Sequence, residues 1–180
     1  LATAEAIFVA KRQKLAKAPY PQYQNDPYGF CTEILRDKFA PDVIPVMESV
    51  RDNPVTIARS ANATGKTHMA ARIAVWWYKC FNGAQVYTAA APPERNLKML
   101  LWGELRNVLA RNEALFVNDK VSTASMIIER ASGRSNEAEN EFVTGVTIPS
   151  SGKSEEREAR FSGKHAPHLL FIIDEGDAVP

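Results

Sequence analysis

The sequence has little cysteine and no excess of charge of either sign. Its two cysteines, Cys31 and Cys80, stand far apart and fit no metal-ligand spacing, which excludes a disulfide framework or a zinc finger. They read as reduced, partly buried thiols. The 22 basic residues against 21 acidic ones leave a formal net charge of +1. No global basic field therefore marks nucleic-acid binding, although a local basic face suffices for it. No apolar run reaches the roughly 18 residues needed to cross a bilayer, so no membrane partner is expected. The N-terminus, Leu1-Ala2-Thr3-Ala4-Glu5-Ala6, is not a charged leader followed by an apolar core. There is no internal repeat and no long low-complexity tract. His68, His165 and His168 make no zinc pattern, and His165 and His168 read as structural. What is present is 45% hydrophobic residues over 180 positions, enough for one domain around a single core.

A pass along the chain divides it near position 53. Residues 1–53 form a helical lead-in. It holds a short basic amphipathic helix over Ala4–Lys17, ended by Pro19-Tyr20-Pro21. Asp26-Pro27 opens a second helix to about Asp37, with aspartate as the cap and proline in the first turn. A third runs from Asp42 to Arg51. Residues 54–180 then change pattern. Val55–Ala58 reads as a buried strand, Lys66–Cys80 as a helix stopped by Asn82-Gly83, and Gln85–Ala90 as a strand. Pro92-Pro93 opens a helix carrying Leu97, Leu100, Leu101, Leu105, Val108 and Leu109. Later strands are expected at Met126–Glu129, Glu141–Ile148 and Leu169–Asp174, with polar loops at 131–140 and 149–164. Strand and helix in alternation predict an α/β fold, a mostly parallel central sheet flanked by helices.

Between the first strand and its helix lies Ser60-Ala61-Asn62-Ala63-Thr64-Gly65-Lys66-Thr67. It matches G-x-x-x-x-G-K-[ST] except that Ser60 replaces the first glycine. In this pattern backbone N–H groups and a helix N-terminus cradle phosphate oxygens. Gly65 permits close backbone approach, Lys66 reaches the β- and γ-phosphates, and Thr67 offers a hydroxyl to Mg²⁺. Arg59, just before the loop, is either a solvated strand-end residue or a sensor of the γ-phosphate.

A second signature closes the chain. Leu169-Leu170-Phe171-Ile172-Ile173 is unbroken apolar sequence ending in Asp174-Glu175. The run predicts a central strand buried on both faces. Ligands bind beyond the carboxyl ends of such strands, so the two carboxylates are expected beside the phosphate loop. Asp174 would hold Mg²⁺, and Glu175 would act as general base on the attacking water. The pair of motifs predicts a P-loop NTPase of the RecA-like, catalytic-glutamate type, with ATP and Mg²⁺ as ligands.

Three segments carry a family resemblance: Ser49–Asn53 leading into Arg59–Thr67, Gln85–Pro93 followed by Leu101-Trp102-Gly103-Glu104-Leu105-Arg106, and Gly163-Lys164-His165-Ala166-Pro167-His168 feeding Leu169–Glu175. The chain resembles the N-terminal ATPase of the large terminase subunit of tailed double-stranded DNA phages, over roughly Ser49 to Pro180. That resemblance implies ATP hydrolysis coupled to translocation of double-stranded DNA into a procapsid, in the host cytoplasm. It implies self-association as a ring on the portal and a small terminase subunit as partner. It also implies a following coupling segment and a metal-dependent nuclease, so the chain is expected to be a piece of a longer protein. An arginine finger from a neighbouring subunit is implied too. Arg157 and Arg160 are the candidates, with Arg160 preferred. The adenine-reading glutamine of many relatives has no counterpart in Asp42–Met47, and Gln22 or Gln24, beside Tyr20 and Tyr23, are the substitutes. Trp76 and Trp77 read as packing residues. Arg95, Lys98, Arg106 and Arg111 read as solvated helix charge, or as a DNA contact. Two other readings are a helicase-like nucleic-acid-dependent ATPase and a nucleotide-binding assembly module without turnover.

Overall fold

Local capping and turn chemistry set the helical lead-in. A computed structural model of the chain describes residues 18–59, 65–91, 94–130, 141–147 and 163–175. The expected helix over Ala4–Lys17, the loop residues Ser60 to Thr64, Pro92-Pro93, Arg157 and Arg160 lie outside them. Asp26 caps the helical turn Pro27–Gly29, its carboxylate accepting the Gly29 N–H at 2.7 Å. The turn widens into a π-type stretch, Phe30–Ile34, which ends before the predicted Asp37 because Arg36 adopts φ 57°. Helix α1 follows at Ile44–Asp52.

Helix α2, Lys66–Cys80, has the predicted bounds. It is buried along most of its length, and Trp76 is fully enclosed. Enclosing an aromatic of that size contributes roughly 2–3 kcal/mol. Its indole N–H also donates to the Tyr23 carbonyl at 2.7 Å, which ties the lead-in to α2. The helix expected after Pro92-Pro93 is broken into Glu94–Asn96, a π-type stretch Leu97–Leu101, and α3, Trp102–Arg111.

The sheet has five strands: β1 Ala84–Ala90, β2 Asp119–Ser122, β3 Ile127–Arg130, β4 Phe142–Gly145 and β5 His168–Asp174. Their order is β2-β3-β4-β1-β5. β1 runs parallel to β4 and β5, whereas the β2–β3 and β3–β4 pairs are antiparallel. The sheet is therefore mixed, not mostly parallel. The cause is a short connection: β2 and β3 are joined by Thr123–Met126, too few residues for the crossover that parallel strands need. Every residue of β1 is buried. Val86, Ala90 and Val143 join Ile73, Trp76 and Trp102 in one core cluster, and the Trp102 indole donates to Thr88 Oγ1 at 3.0 Å.

Two other expectations change. Val55–Ala58 is not a strand; Val55 and Ile57 are exposed, and a segment without a ladder partner does not form one. β5 is not central. Among the described residues it pairs only with β1, and Phe171 and Ile173 reach solvent.

Charge is buried at the C-terminal end of α2. Lys79 and Asp119 form an ion pair with both side chains almost fully enclosed, and the Tyr78 hydroxyl donates to the other Asp119 oxygen at 2.8 Å. Burial lowers the Lys79 ammonium from its ordinary value despite that partner. Among the described residues, no helix is long and apolar enough to cross a membrane.

Candidate functional site

The site is built where α2 begins and β5 ends. Gly65 is the residue before α2 and has φ 85°, a left-handed conformation that favours glycine. Its carbonyl accepts the first helical N–H, from Met69, at 2.8 Å. The first turn of α2 contains no acidic residue, and no side chain caps it. The positive end of its dipole lies at this first turn, where it favours a negative group.

The register of β5 on β1 sets Asp174 opposite Ala90, at the last rung of the sheet. Asp174 is 9% exposed. Thr67 Oγ1 donates to Asp174 Oδ2 at 2.9 Å. That bond joins residues 107 positions apart and closes the gap between the helix start and the strand end. Asp174 Oδ1 also accepts the Glu175 N–H at 3.2 Å. Glu175 has φ 54°, which is uncommon for a non-glycine residue and holds its exposed side chain beyond the strand end.

These groups form one wall of a cavity of about 520 Å³. Lys66, Thr67 and Glu175 line it from one side, and Gly103, Arg106 and Asn107 of α3 from the other. That volume falls in the range that holds a nucleotide-sized ligand. No family model, curated protein or solved structure matches the chain. The case for the site accordingly rests on its own chemistry.

The predicted residues divide into two groups. Gly65, Lys66, Thr67 and Glu175 line one cavity, and Asp174 is hydrogen-bonded to Thr67. Arg59 is exposed and is not part of the cavity wall. Ser60, Ala61, Asn62, Ala63, Thr64 and Arg160 lie outside the described residues. Gln24 is placed away from the site: its amide donates to the Cys80 carbonyl at 2.8 Å, at the opposite end of α2 from Lys66. The helix rise makes that separation about 21 Å, so Gln24 is not a base-reading residue for a nucleotide at Lys66.

The α3 wall was not predicted. Glu104 Oε2 accepts from Arg72 Nη1 and is 3.1 Å from His68 Nδ1. Arg72 is 1% exposed, and its Nε donates to Asp37 Oδ2 at 2.7 Å. Arg111 reaches the other Asp37 oxygen at 2.5 Å. Burial pushes Glu104 up, but the hydrogen bonds and charges of Arg72 and His68 outweigh it and hold the carboxyl below its usual value. This network fixes α3 against α2. The only signal for it in the sequence is the polar face of an amphipathic helix, which does not reveal what that face meets.

The donor set fits a magnesium nucleotide. Thr67 hydroxyl and Asp174 carboxylate are hard oxygen ligands already within 2.9 Å of one another. Mg²⁺ takes few ligands of this kind and completes its shell with water and phosphate oxygens. Among the described residues no group of three or more His, Cys, Asp or Glu could hold a metal by itself.

Proposed function

We propose that the chain is an ATP-hydrolysing P-loop motor domain, and that it serves as the ATPase of a viral DNA-packaging terminase. The observation that carries the hydrolase reading is the Thr67–Asp174 bond at the N-terminus of α2, with Glu175 as the next residue. A helix N-terminus with a lysine at its first position attracts phosphate. Lys66 contacts the β- and γ-phosphates. Thr67 and Asp174 would hold Mg²⁺, which neutralises charge on the phosphate oxygens. Glu175 takes the proton of the attacking water as its oxygen adds to phosphorus, and the bridging oxygen leaves with the diphosphate. Coupling of that turnover to double-stranded DNA, with a ring on the portal of a procapsid and a small terminase subunit as partners, rests on the resemblance alone.

The test is turnover and binding in two variants. Glu175→Gln should keep Mg·ATP affinity within about threefold and lose hydrolysis by roughly 10²–10⁴-fold, the usual worth of a general base. Lys66→Ala should lose nucleotide binding altogether. Hydrolysis at the wild-type rate in Glu175→Gln sinks the base assignment. Nucleotide binding unchanged in Lys66→Ala sinks the site.

A further inference from the structure

We infer that Arg106 is a second phosphate-binding cation of this cavity, contacting the terminal phosphate of a bound nucleoside triphosphate from within the same chain. The inference rests on the nucleotide reading of the site and names a residue to which neither motif points.

Three observations place it. Arg106 lines the cavity together with Lys66, Thr67 and Glu175, across from the start of α2. Its guanidinium is folded back along α3: Nη1 donates to the Lys98 carbonyl at 3.2 Å, and Nη2 lies 3.6 Å from where a Cβ on Gly103 would stand. The guanidinium thus lies at ordinary contact distance over Gly103. Finally, among the described residues Arg106 meets only this neutral acceptor, whereas Arg72 and Arg111 are both committed to carboxylates. Most of its five N–H donors remain for an anion.

Nearby carboxylates do not satisfy that need. Glu104 is shared between Arg72 and His68, and Asp174 accepts from Thr67. A planar guanidinium and a lysine that line one open cavity are suited to phosphate oxygens. The diphosphate part of a nucleotide is served by Lys66 and the helix N-terminus. Arg106 and Glu175 line the same cavity.

The experiment measures equilibrium binding of ADP and of a non-hydrolysable β,γ-imido ATP analogue, both with Mg²⁺, to wild type, Arg106→Ala and Arg106→Lys. Loss of one charge-assisted contact should weaken analogue binding of Arg106→Ala about tenfold or more, with ADP affinity held within about twofold. Arg106→Lys should recover part of the preference. Unchanged analogue affinity in Arg106→Ala overturns the inference while leaving the site intact, and so does an equal loss for both nucleotides. A variant that keeps its triphosphate preference but loses DNA affinity also overturns it, since Arg106 then belongs to a nucleic-acid surface. Wild type binding neither nucleotide is a separate result: it removes the nucleotide reading itself, and the inference with it.

Discussion

At the scale of single residues, Thr67 and Asp174 carry the argument. Their hydroxyl–carboxylate bond holds the two oxygens 2.9 Å apart, a spacing at which both can ligate one small cation. Asp174→Asn separates structure from chemistry. The asparagine oxygen still accepts from Thr67, so thermal stability should stay within a few degrees of wild type. The negative charge is gone, so the Mg²⁺ needed for half-maximal turnover should rise on the order of 10–100-fold. A magnesium titration of ATP hydrolysis checks it. Gly65 and Glu175 show a contrast at the same scale. The left-handed backbone at Gly65 is legible, because a glycine before Lys-Thr signals it. The left-handed backbone at Glu175 is not, because nothing about a glutamate announces it.

Helix α3 shows what an element adds. Its polar face reads in sequence as solvated charge, yet Glu104 is drawn onto buried Arg72 and the cavity gains a second wall. The sequence cannot show this, since Arg72 and Glu104 are 32 positions apart and only packing brings them together. A pH prediction follows from the depressed Glu104 carboxyl. A group with a lowered folded value adds stability above its unfolded value and loses it as pH falls through the folded one. Glu104→Gln should therefore cost about 1–2 kcal/mol near pH 7, a charge-assisted bond lost. The gap should close below the ordinary glutamate range, near pH 4 and under. Urea midpoints of both proteins at several pH values test the sign. A gap that widens on acidification contradicts it.

Over the whole molecule, the β5 edge of the sheet bears on association between copies. β5 is apolar from Leu169 to Ile173, pairs with β1 alone among the described residues, and exposes Ile173 by 52%. An unprotected apolar edge promotes association between copies. Ile173→Lys should reduce concentration-dependent association in sedimentation and leave stability within about 0.5 kcal/mol, as for most exposed positions. Association unchanged by the lysine places the contact elsewhere. The same scale divides what was legible from what was not. Residue types at short spacing marked the start of α2, the apolar run of β5 and the carboxylates that end it, because backbone conformation and local burial leave short-range signatures. The sequence by itself thus determined which residues start α2 and which carboxylates end β5. Tertiary structure alone decided the mixed order of the strands, the edge position of β5, the removal of Gln24 to the far end of α2, and the pairing of Arg72 with Glu104. Each depends on contacts between distant segments, whose free energy is set by packing geometry and not by any residue's own propensity.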